Sequence, residues 1–168
     1  MGIDATITLK FIFKDEHLPT ANRLYEILSN SILLNENKNK KDYIKFEEHK
    51  HENELLPPRT YHEITVYKHD DWNFWLERWG LMSIISGLEK YAEGSINNWW
   101  DKGFIIVSSI FGCAIEYKSW SMCGSPPREE RWICSFEHNE CFHEENQIDE
   151  DGNSSNLDYD KKDVYNLI

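Results

Sequence analysis

No stretch of this chain approaches the roughly 18–20 consecutive apolar residues of a membrane helix. The start, Met1-Gly2-Ile3-Asp4, has neither the basic region nor the apolar core of a secretory signal. Those two absences lead us to expect a soluble, cytoplasmic protein with no membrane partner. Gly2 with Thr6 matches the minimal myristoylation pattern, but Thr6 falls inside a segment that reads as a strand.

Cysteine is sparse. Cys113, Cys123, Cys134 and Cys141 are spaced by ten, eleven and seven residues and form no C-x-x-C pair, so a zinc knuckle is not indicated. In a cytoplasmic chain the thiols are expected to be reduced. The sequence also has no phosphate loop, no G-x-G-x-x-G turn, no G-x-S-x-G elbow and no H-E-x-x-H helix. Catalysis is not the leading expectation, and no cofactor is expected.

Positive charge is short as well. Against 30 acidic side chains there are 18 basic ones, a net charge of −12. Such a chain is repelled by nucleic acid and anionic membranes and is steered toward basic partners. A quarter-century of residues at the end concentrates this: 144–168 hold eight acidic and two basic side chains and read as a disordered acidic tail. The expected organisation is a single domain over 1–143 followed by that tail. Its last apolar residues, Val164, Tyr165, Leu167 and Ile168, are expected to dock back on the domain.

What is abundant is aromatic and apolar: 14% and 40% of the chain, with seven tryptophans. Ile3, Ala5, Ile7, Leu9, Phe11 and Phe13 alternate with polar residues, the pattern of a strand with one face on the core. Pro19 opens a helix over 19–33, whose Ala21, Leu24, Tyr25, Leu28 and Ile32 form one apolar stripe. Strands follow at 42–50 and 60–68, separated by Asn53, Pro57 and Pro58. Residues 70–92 carry helical periodicity with a change of phase at Gly80. Further strands are expected at 104–110, 114–120 and 131–137. The predicted fold is α+β, with helices on one face of an antiparallel or mixed sheet: a ferredoxin-like β-α-β-β-α-β core plus a C-terminal β-hairpin.

Three groups could carry function. Trp72, Trp75 and Trp79 share a helical face, and with Trp99, Trp100, Tyr61, Glu63 and Tyr67 they make a candidate partner-binding surface. Packing in the core is the plain alternative for the tryptophans, as a hydrogen-bonded tyrosine ladder is for Tyr61, Glu63 and Tyr67. Glu47, His49 and His51 lie on one face of a strand, where a His-x-His pair and a carboxylate can hold a metal ion. His62, alone on an apolar face, reads as a satisfied core residue. The leading expectation is a non-catalytic acidic protein that inhibits or neutralises a basic protein partner, as an immunity protein does a bacterial toxin. The alternatives are a nucleic-acid mimic that blocks a DNA- or RNA-binding defence enzyme, a metal-assisted hydrolase using the His-x-His strand, and a small-ligand module walled by tryptophan.

Overall fold

A computed structural model of the chain describes residues 5–30, 43–53, 56–70, 108–121, 128–135, 140–147 and 165. Its centre is β1, Ala5–Lys14, the strand that the N-terminal alternation predicts. Leu9, Phe11 and Phe13 are fully buried on one face. A 3-10 turn, Asp15–His17, leads into α1, Leu18–Ser29, with Pro19 in the first turn, where a missing N–H costs nothing. Ala21, Leu24 and Leu28 of the expected stripe are buried against that face of the sheet. Tyr25 is half-buried, its ring 5.3 Å from that of Phe46.

β2, Tyr43–Asn53, and β3, Leu56–Asp70, form a long antiparallel hairpin. Pro57 and Pro58 do not interrupt it as the sequence suggests. They lie at the start of β3, opposite a register shift between His51 and Asn53, where a bulge releases the strand from needing their missing N–H groups.

β4 (Ala114–Ser121), β5 (Arg128–Ser135) and β6 (Glu140–Gln147) complete an antiparallel six-stranded sheet of order β2-β3-β1-β4-β5-β6. The chain is therefore α+β, and β3 is inserted between β1 and β2, which run parallel to one another. Among the described residues no helix is long and apolar enough to cross a membrane.

Two strand assignments are corrected. Residues 108–111 form a helical turn, where the expected strand 104–110 would have covered 108–110. Gly112 ends it at φ 63°, and the Cys113 N–H donates to the Ser108 carbonyl at 3.1 Å, the six-to-one bond of a Schellman stop. The Ser108 hydroxyl also donates to the Cys113 carbonyl. Apolar composition over 104–110 does not distinguish a strand from a buried helix end. Second, β6 occupies residues whose polar composition hides a strand, and it runs four residues past 143, the expected domain limit. Charged side chains suit an edge strand, because they discourage pairing with another chain. The helix expected over 70–92 lies outside the described residues beyond Asp70, as do Trp99 and Trp100.

The expectation of reduced thiols is also corrected. Cys134 is disulfide-bonded, and in the β5–β6 register the residue opposite it is Cys141. Cys113 is free, and complete burial pushes its thiol far above the ordinary value of 9.0.

Three outcomes test this core. Leu24→Ala, which empties a fully buried position under α1, should lower unfolding free energy by about 2–5 kcal/mol in urea titration. Cys113 should resist iodoacetamide in native protein and react after unfolding. Because only the unfolded chain ionises this thiol near pH 9, its contribution to stability is complete below that pH and falls as pH rises above it. A Cys113→Ala variant should show a shallower alkaline decline.

Candidate functional site

The second face of the sheet, opposite α1, is unusual for its polar content. Lys10 and Ile12 of β1, Tyr61, Glu63 and Thr65 of β3, Ala114 and Glu116 of β4, and Arg131 and Ile133 of β5 share it through the strand registers. Ile12 and Ala114 are fully buried there, and Ile133, Tyr61 and Glu63 are 2–3% exposed. Buried carboxylates need partners. Glu116 accepts from Arg131 Nη2 at 2.7 Å, with Lys118 Nζ 3.6 Å from its other oxygen.

Glu63 is served differently. Lys10 Nζ lies 4.0 Å from one of its oxygens, and the Tyr165 hydroxyl donates to the other. Tyr165, 102 residues further along the chain, packs with Ile12, Tyr61, Ala114 and Ile133. Its ring lies against those of His49 (centroids 5.0 Å apart, 22° between planes) and His51 (4.4 Å, 18°). Tyr61 approaches at 5.2 Å, and its hydroxyl donates to the Tyr165 carbonyl at 3.4 Å. Two imidazoles, two phenols and a buried carboxylate thus form an aromatic cage closed by Tyr165. At Tyr165 at least, the docking expected of the apolar C-terminal residues is present.

This arrangement redistributes the expected metal ligands. β2 does place Glu47, His49 and His51 on one face, since they pair with Glu63, Tyr61 and Arg59. The His49 and His51 rings, 6.1 Å apart, stack on Tyr165, while the Glu47 carboxylate lies 3.2 Å from Lys45 Nζ. Of the expected partner-binding residues, Tyr61 and Glu63 are buried in the cage. Tyr67 is half-buried and stacks on Tyr43, with centroids 5.0 Å apart and 12° between planes. Tyr43 is 49% exposed. Trp72, Trp75, Trp79, Trp99 and Trp100 lie outside the described residues.

A separate polar group sits on the helix face, at the end of β1. His62 pairs with Glu48 across β2–β3 and with Phe13 across β1–β3. Two residues after Phe13, Asp15 turns back so that its Oδ1 lies 2.7 Å from His62 Nε2. The imidazole is 9% exposed and the Asp15 side chain 70%. Phe46 meets the His62 ring edge-on at 6.5 Å. His62 is thus the satisfied histidine that its apolar neighbours suggest. Its partners were not legible in the sequence, because Asp15 is 47 residues away and Glu48 joins it only through strand register.

Tyr165→Phe tests the cage with the smallest change. Loss of the donor leaves one oxygen of the buried Glu63 carboxylate unserved, so unfolding free energy should fall by about 1–3 kcal/mol. Tyr165→Ala, which also removes the stacking, should cost more and should speed proteolysis of the C-terminal segment. Equal stability of all three proteins in urea would contradict the contact. Compared with protein-family models, curated proteins and solved structures, this chain finds no match.

Proposed function

We propose that this chain is a non-catalytic binding protein that neutralises a basic protein partner, in the manner of an immunity protein against a bacterial toxin. The observation that carries the reading is the net charge of −12. Most of that excess lies outside the strands and α1, in the connecting segments and the C-terminal region, while the sheet and α1 hold acids and bases in closer balance. Charge distributed in this way steers a basic partner toward the loops and termini rather than toward one sheet face.

Affinity needs a desolvated anchor besides charge, and tyrosine supplies large contact area at low entropic cost. The Tyr43–Tyr67 stack is the anchor we assign, since Tyr43 is half exposed and its ring is already held by its neighbour. Tyr61 and Glu63 belong to the buried cage and serve the fold. The tryptophans remain candidates on the sequence argument alone. We also propose a ferredoxin-like core for the first four strands: their order β2-β3-β1-β4 and their antiparallel pairing fit it, with β5 and β6 as an added hairpin. A disulfide at Cys134 belongs with an oxidising compartment, so a cytoplasmic location is not carried into this proposal.

Affinity capture from a lysate of the source organism, eluted by a salt gradient and read by mass spectrometry, tests this reading. A basic protein should be retained at low salt and released as salt rises. Tyr43→Ser, an exposed change that leaves the sheet intact, should weaken its capture about tenfold. Capture that is insensitive to salt and unchanged by Tyr43→Ser would overturn the proposal.

A further inference from the structure

The structure assigns a second, independent site: Asp15, Glu48 and His62 form a binding site for a divalent transition-metal ion, with zinc the best chemical match. Their ligand atoms, one from each side chain, all lie within 4.8 Å of one another. Three different elements deliver them: the turn after β1, β2 and β3. The strand registers fix the arrangement, since Glu48 and His62 are directly opposed and Asp15 comes two residues after Phe13, the residue opposed to His62 on its other side.

The donor set is one imidazole nitrogen and two carboxylate oxygens. Nitrogen among the ligands favours zinc and its neighbours over calcium and magnesium, which take oxygen. Without a cation, a proton on His62 Nε2 bridges to Asp15 at 2.7 Å. A metal ion would take the place of that proton, and the two atoms would separate to about 3.3 Å, the edge of a tetrahedron with bonds of about 2.0–2.1 Å. The imidazole is nine-tenths buried and held edge-on by Phe46, so it is oriented before any ion arrives. The carboxylates are exposed and can adjust by that small amount.

Three protein ligands leave a coordination position open, the pattern of zinc sites that also bind water or an exogenous group. Asp15 borders an open cleft of about 450 Å³ that it shares with Lys14, Glu16, Arg59, Thr60 and Tyr61.

The test is calorimetric titration of the full chain with zinc chloride after chelator treatment and dialysis, at neutral pH. A single saturable site is expected. Asp15→Asn and Glu48→Gln, both at exposed positions, should each weaken it by at least about tenfold with unchanged circular dichroism. The His49→Ala/His51→Ala double variant should bind as the parent does. Failure of the parent to bind zinc, or equal binding by Asp15→Asn and Glu48→Gln, would overturn the assignment. Loss of binding in the His49/His51 variant with retention in Glu48→Gln would move the ion to the other face and overturn it equally.

Discussion

The sheet is assembled on both edges of β1. Along ten residues this strand bonds β3, and along eight of them it also bonds β4. Its side chains are divided accordingly, with Leu9, Phe11 and Phe13 toward α1 and Lys10 and Ile12 toward the second face. A strand buried on one face can leave the other in water. Here Ile12 is as inaccessible as Phe11, so the second face is covered around Ile12. The buried polar groups there, Glu63 and Glu116, must be satisfied by protein, while Lys10 and Lys118 at its margin keep part of their side chains in solvent. That requirement explains the Glu116–Arg131 pair and the reach of Tyr165 to Glu63. Both exist because a two-sided sheet was built from strands with only one fully apolar side.

The polar face is consequently a source of specificity more than of stability. Replacing a buried ion pair by apolar residues of similar volume is often neutral or favourable, whereas removing one partner alone is costly. Glu63 makes the same point for the C-terminal segment. Many apolar residues could have covered Ile12 and Ala114, but only a donor at the right height satisfies the carboxylate. Tyrosine meets both needs, with a ring to lie on His49 and His51 and a hydroxyl to reach Glu63.

Periodicity made much of the architecture legible. The alternation of residues 3–13 and 60–68 gives both β1 and β3 and the faces of their side chains, because strand period is fixed by geometry. The stripe Ala21, Leu24, Leu28 gives the buried side of α1. What periodicity could not supply were features decided by contacts between distant residues. The turn at 108–111 follows directly on an apolar run that reads as a strand, and its two serines and the glycine stop after it are the only local signals of a helix end. β6 has the composition of a tail and becomes a strand because β5 offers it an edge. The Tyr165 cage and the Asp15–His62 contact join residues 102 and 47 positions apart, separations over which a sequence pattern carries no signal.

Both polar constellations nevertheless depend on one register. Across β2–β3 the pairs run Glu47↔Glu63, Glu48↔His62 and His49↔Tyr61. Of the odd-numbered members His49, Tyr61 and Glu63 enter the aromatic cage, Glu47 on the same face pairs with Lys45, and the even-numbered pair enters the group with Asp15. Because side chains alternate with period two, a slip of one residue would exchange the faces of every member of β2. Glu48 would then stand in the cage and His49 beside Phe13. The bulge near His51 and the two prolines after Leu56 accommodate an irregularity at the closed end of the hairpin, and from there the pairing is regular to Tyr43. The Asp15 group and the Tyr165 cage therefore lie on opposite faces of one hairpin, and neither can form unless that hairpin is paired in the register that forms the other.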